Sequence, residues 1–131
     1  MVLNLDSKSY QLSTSSEELQ DQLSEFGLTS NQSKVFIFLE KYGTKTAPEL
    51  SKALMIPRTE TYHILTALKN KGIVSKGFRY TTRFSALPLD QALWSLLNAE
   101  KERIRKLEKQ ERALTELWNN DLTHHEESND T

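Results

Sequence analysis

Apolar positions recur every three or four residues in five stretches of this chain, and a short alternating segment separates the fourth from the fifth. Residues 1–14 show no such period and are expected to form either a frayed N-terminal arm or a short added strand. Ser15 and Glu18 make a capping-box pair, Leu19, Leu23 and Phe26 follow on one face, and Gly27 stops the turn, which predicts a helix over 16–26. Thr29 and Gln32 repeat the pair. Val35, Phe36, Leu39 and Tyr42 then mark a buried stripe, widened by Ile37 and Phe38 and closed by Gly43. Thr46 and Glu49 start a short third helix with Leu50, Ala53 and Leu54 as its apolar positions. Met55-Ile56 leads directly into a fourth, with Pro57 in its first turn and Thr61, Ile64, Leu65 and Leu68 facing inward. Gly72 closes it, after Lys69 and Lys71 in the last turn, where cations suit the helix dipole.

Residues 73–76 and 82–86 have the composition of strands on either side of Gly77-Phe78-Arg79-Tyr80-Thr81, which predicts a hairpin with an irregular tip. Beyond Pro88, as far as about Asp121, there is neither Gly nor Pro. Leu93, Leu97, Glu100, Ile104, Leu107, Glu111, Leu114 and Trp118 fall there at alternating steps of four and three. This is a heptad seam, and a helix of that length would extend about 50 Å, too far to bury its stripe on so small a domain. A second copy of the chain is the expected partner, through Leu93, Leu97, Ile104, Leu107, Leu114 and Trp118. The order is that of a mainly α winged helix-turn-helix with a small β-wing, followed by a coiled-coil helix. The expected organisation is an arm over 1–14, the winged domain over 15–87, a dimerisation helix over 88–121 and a disordered acidic tail over 122–131.

Composition narrows the chemistry. The 131 residues include no cysteine, which excludes disulfides, thiolate metal sites and a cysteine nucleophile. No apolar run reaches a membrane span, and the N-terminus Met-Val-Leu-Asn-Leu-Asp lacks the pattern of a secretion signal, so a cytoplasmic protein without a membrane partner is expected. There is no phosphate-binding glycine loop and no nucleophile elbow. The adjacent His124 and His125 lack the spacing of a helical zinc pair. Neither an enzyme, a cofactor nor a metal site is expected.

The net charge of −1 hides a strong asymmetry. Residues 1–27 hold one basic residue against five acids, residues 28–87 ten against three, and residues 88–131 six against ten. The middle segment is therefore net +7 between flanks of −4 each. The outer face of the fourth helix carries Arg58, Thr59, Tyr62, His63, Thr66 and Lys69, with Glu60 as the nearby acid. Such a face suits double-stranded DNA. Arg58 has the reach for a guanine edge, Thr59 for a phosphate or a thymine methyl, and Tyr62 for a phosphate. Thr46, at a helix start, suits another phosphate. Lys45, Lys76, Arg79 and Arg83 add attraction that is independent of sequence. Three of these have a plainer alternative: Arg58 a phosphate contact, Thr59 a cap, Tyr62 partial burial.

Three phrases carry a resemblance. They are F-G-L-T-S-N-Q-S-K-V-F-I-F-L, then T-A-P-E-L-S-K-A-L-M-I-P-R-T-E-T-Y-H-I-L-T-A-L-K-N-K-G-I-V, then R-F-S-A-L-P-L-D-Q-A-L. From Phe26 to about Leu122 the chain resembles the DNA-binding half of the TrmB-like archaeal transcriptional regulators. The resemblance implies that Arg58, Thr59 and Tyr62 face DNA and that the wing after Val74 touches the flanking backbone. The family's Gly-Arg-Pro type of wing tip is replaced here by Arg79-Tyr80-Thr81. Full-length relatives continue into a sugar-binding effector domain that has no counterpart in this sequence, so effector sensing does not carry over. The expected function is a sequence-specific, homodimeric regulator of transcription. The competing reading is a winged-helix protein–protein interaction module of a transcription or sorting complex, which would favour an apolar or acidic outer face. A small-molecule effector, if one binds near Trp94 and Trp118, is not selected by the residues.

Overall fold

Two helix starts follow the predicted side-chain caps in a computed structural model that describes residues 16–78 and 80–129. Residues 16–25 form α1. In α2 (Ser30–Tyr42) the Thr29 hydroxyl accepts from the Gln32 N–H at 3.1 Å, and the Gln32 side chain accepts from the Thr29 N–H at 3.1 Å. This is the reciprocal pair that satisfies two otherwise orphaned donors. In α3 (Ala47–Leu54) the Thr46 hydroxyl accepts from the Glu49 N–H at 3.3 Å. The fourth helix, α4 (Arg58–Asn70), starts one residue later than predicted, because Pro57 is the extended N-cap rather than part of the first turn. The arm over 1–14 and Ser15 lie outside the described residues.

The wing pairs β1 (Val74–Phe78) with β2 (Thr82–Ala86) antiparallel, in the register Val74↔Ala86, Lys76↔Phe84 and Phe78↔Thr82. Gly77 and Phe78, expected in the tip, belong to the strand. Lys45 adds a third edge: its N–H donates to the Phe84 carbonyl at 3.0 Å, and the Phe84 N–H donates back at 2.8 Å. The connector between α2 and α3 thereby fixes the wing to the helices.

The chain divides between Leu97 and Asn98 into two compact units. The core of the first holds Val35, Phe36 and Leu39 of α2, Leu50 of α3, and Ile64, Leu65 and Leu68 of α4. Ile73, Val74 and Phe84 close it on the wing side, and Ala92 and Leu96 come from the start of α5 (Leu89–Asn129). A fully buried leucine such as Leu50 or Leu68 contributes about 1.5–3 kcal/mol through removal of its apolar surface from water. Two expected core positions are not there. Tyr42 is 62% exposed, its ring 4.6 Å from that of Phe38, because the last turn of α2 emerges from the core and leaves the phenol in water. Ala53 is exposed, and Ala47 takes the buried alanine position of α3.

In the second unit the helix continues to Asn129, through the stretch expected to be a disordered tail. The acidic composition suggested disorder, but nothing between Leu122 and Asn129 breaks a helix. Residues 99–124 are exposed throughout. Among the described residues no helix is long and apolar enough to cross a membrane.

Candidate nucleic-acid interface

The inward stripe of α4 determines what its other face offers. Thr61, Ile64, Leu65 and Leu68 are buried, so Arg58, Thr59, Tyr62, His63, Thr66 and Lys69 are all turned to solvent. The one polar member of the stripe is satisfied, since the Thr61 hydroxyl donates to the Pro57 carbonyl at 3.0 Å. Both ends of the helix are held by the chain around them. At its start Met55 adopts a left-handed conformation (φ 55°), the Ile56 N–H donates to the Ser51 carbonyl at 3.1 Å, and the Ser51 hydroxyl donates to the Ile56 carbonyl at 2.5 Å. Met55 is 91% exposed, so the turn rests on these bonds and not on the packing of its side chain. At the end Gly72 (φ 78°) lets the Ile73 N–H reach back to the Leu68 carbonyl at 3.2 Å, with both of those side chains fully buried.

Glu60 is the acid that would spoil a face made for an anion. Its carboxylate accepts from the Asn31 side-chain amide at 2.8 Å, which ties it to the start of α2. Sequence reasoning missed Asn31, because nothing local joins residues 29 positions apart. The hydroxyls differ in what they still offer. Thr66 donates its proton to the Tyr62 carbonyl at 2.9 Å, leaving an acceptor and a methyl group on the surface in this rotamer. Thr46 accepts from a backbone N–H, so its own proton remains to be donated.

The ribbon sorts the basic residues of the wing. Lys76 stands opposite Phe84, so both lie on one face with Thr82, whereas Arg83 alternates to the other face and is exposed. Lys45 is half-buried, its backbone engaged with the wing. Arg79 lies outside the described residues. Between the helix and the wing is a cleft of about 190 Å³ lined by Tyr62, Thr66, Lys69, Asn70, Lys76, Thr82 and Phe84. Asn70 and Thr82 were not singled out in the sequence; only the packing of α4 on the ribbon places them beside the lysines. Among the described residues no group of three or more His, Asp or Glu side chains is arranged to hold a metal ion.

The family model described as "Sugar-specific transcriptional regulator TrmB" matches residues 23–90, which is 68 of the 131 positions. The chain belongs to the TrmB family. Its TrmB region takes in every element from α2 to the wing and the α4 face just described. The chain is similar to the HTH-type sugar sensing transcriptional regulator TrmBL1 of Pyrococcus furiosus, at 38% identity over 58 residues, or 44% of this chain and 17% of that protein. It is also similar in structure to TrmBL2, described as an archaeal chromatin protein that shows a novel mode of DNA binding. There the TM-score is 0.68 at 25% identity, over 79% of this chain and 40% of that one. The fold is shared more widely, with ST1889 of Sulfolobus tokodaii at a TM-score of 0.56 and 20% identity, over 70% of this chain and 97% of that one. A MarR family transcription regulator, SP03579, has a TM-score of 0.51 at 18% identity, over 81% of this chain and 73% of that one. The chain thus spans less than half the length of both TrmB-type relatives. The likeness bears out the winged helix-turn-helix and the family expected from the sequence.

Proposed function

We propose that the protein is a cytoplasmic, homodimeric regulator of transcription that lays α4 in the major groove of a specific duplex site. The observation that carries this is the solvent face of α4. It presents Arg58, Thr59, Tyr62, His63, Thr66 and Lys69, and its one acid is drawn away to Asn31. A protein-binding module would favour an apolar or acidic face instead. Arg58 is the candidate for base readout through a bidentate contact to guanine, while Lys45, Lys76, Arg83 and the start of α3 at Thr46 hold phosphates. The dimer is supported by Leu97, Ile104, Leu107, Leu114 and Trp118, which are 48–64% exposed at heptad spacing.

Selection of bound sequences from a random duplex pool tests the proposal, since a dimer recovers a two-fold symmetric site with half-sites about 34 Å apart. Arg58→Ala is expected to lose about 1–3 kcal/mol of discrimination at one base position. Equal weakening on selected and random duplex would remove the base-reading role. A second reading, DNA coverage without sequence preference, is favoured by the likeness to TrmBL2, described as a chromatin protein. It predicts that the same selection enriches nothing.

A further inference from the structure

The seam of α5 has the same pattern read from either end. Leu93 and Trp118, Leu97 and Leu114, Glu100 and Glu111, and Ile104 and Leu107 form pairs, each equidistant from a point between Arg105 and Lys106. Two such helices running in opposite directions about that point set apolar on apolar and acid on acid. A parallel pair also matches every position, with its own copy, so the apolar residues do not choose a direction. The acids do. In a parallel pair Glu111 meets Glu111 of the second copy, and its flanking neighbours Glu108, Gln110 and Thr115 supply no cation. In an antiparallel pair Glu111 meets Glu100, whose carboxylate is already bonded to Arg103 at 3.0 Å, and Lys101 comes to lie between Glu108 and Glu111 of the second copy. Parallel pairing would offer Arg103 to Glu108, but that guanidinium is engaged by Glu100.

Packing at the ends points the same way. Leu93 gives part of its surface to the core of the first unit, beside the buried Ala92 and Leu96. Two such leucines make a thin layer, whereas a Trp118 ring opposite each one fills it, large against small. Trp94 is 70% exposed and borders a cavity of about 490 Å³ with Leu87, Asp90, Gln91 and Ser95. On an antiparallel partner Trp118 passes on the same side as Trp94, with Leu122 one turn beyond it toward Asp90 and Leu87. We propose that α5 pairs with a second copy in the opposite direction, centred between Arg105 and Lys106, and that Trp118 of the second copy covers this groove. The inference deepens the dimer reading and rests on it.

The test uses the full chain, which has no cysteine to interfere. Leu97→Cys and Leu114→Cys are prepared separately and mixed under mild oxidation. Disulfides are expected between the two variants, and about tenfold less in either one alone, where each introduced thiol lies about 25 Å along the coil from its counterpart. Linking of either variant to itself, or no linking in the mixture while the wild type sediments as a dimer, would overturn the pairing. Glu111→Lys is expected to tighten the dimer about tenfold, since the new cation faces Glu100. In a parallel pair it would face its own copy, so unchanged or weaker association would also overturn the pairing. Trp118→Phe and Trp118→Ala each leave Trp94 as the one tryptophan, and acrylamide quenching of its emission then reports on the groove. With both variants dimeric, quenching is expected to be about twofold greater for Trp118→Ala. Equal quenching would show a groove open in the dimer and overturn its occupant. A wild type that is monomeric at every concentration removes the dimer reading itself.

Discussion

Ser33 and Glu40 sit on the same helix, and each has a polar group placed at a disadvantage. Ser33 is fully buried, and its hydroxyl has no hydrogen-bond partner among the described residues. Ser33→Ala removes the unsatisfied group and improves helix propensity, so chemical denaturation should show a gain of about 1 kcal/mol. Partial desolvation and then the charge of Asp90 raise the pKa of Glu40 from its ordinary 4.5. The folded chain therefore keeps a proton that the unfolded chain has released. Stability falls as pH rises from 4.5 to the raised value, and the whole penalty persists above it. Glu40→Gln should accordingly raise the melting temperature at neutral pH and give no gain below pH 4.5. The same gain at every pH would show that charge is not the cause. Neither environment was visible in the sequence, where both residues read as ordinary positions of an amphipathic helix.

Elements were legible wherever their signals were local. The Thr29–Gln32 box, the Gly72 stop and the inward stripe of α4 depend on residues a few positions apart, and all appear as read. Errors lie where neighbours distant in sequence decide. Tyr42 has the right spacing for the stripe of α2 and still faces water. Leu93, assigned to the heptad seam, packs in part against the core of the first unit beside Ala92 and Leu96. The seam residues from Ile104 onward belong to a stretch exposed on all sides, and the ion pairs Glu100 to Arg103 at 3.0 Å and Glu102 to Arg105 run along its own surface. Exposed pairs of this kind add little, and the proposed dimer would cover the apolar stripe of this stretch.

The proposed dimer is testable for the molecule as a whole. The double variant Ile104→Asp with Leu107→Asp places charges in the proposed seam. Sedimentation should then report a monomer, and helical ellipticity should drop as the second unit loses its packing partner. Loss of the second half-site contact should lower affinity for the symmetric duplex by about a hundredfold, with Arg58 still intact in each protomer. A wild type that is monomeric at all concentrations would dispose of the seam while leaving the α4 face as described.

By itself the amino-acid order determined the succession of helices and wing, the caps that begin α2 and α3, the glycine stop after α4, and which side of α4 faces outward. Each of these depends on interactions within a turn or two of the backbone. Only tertiary structure decided that Glu60 is tied to Asn31, that Lys45 borders the wing, and that Lys69 and Asn70 share a cleft with Lys76 and Thr82. Those pairings join separate elements, and no periodicity encodes them, because they follow from how the whole set of apolar stripes is buried at once.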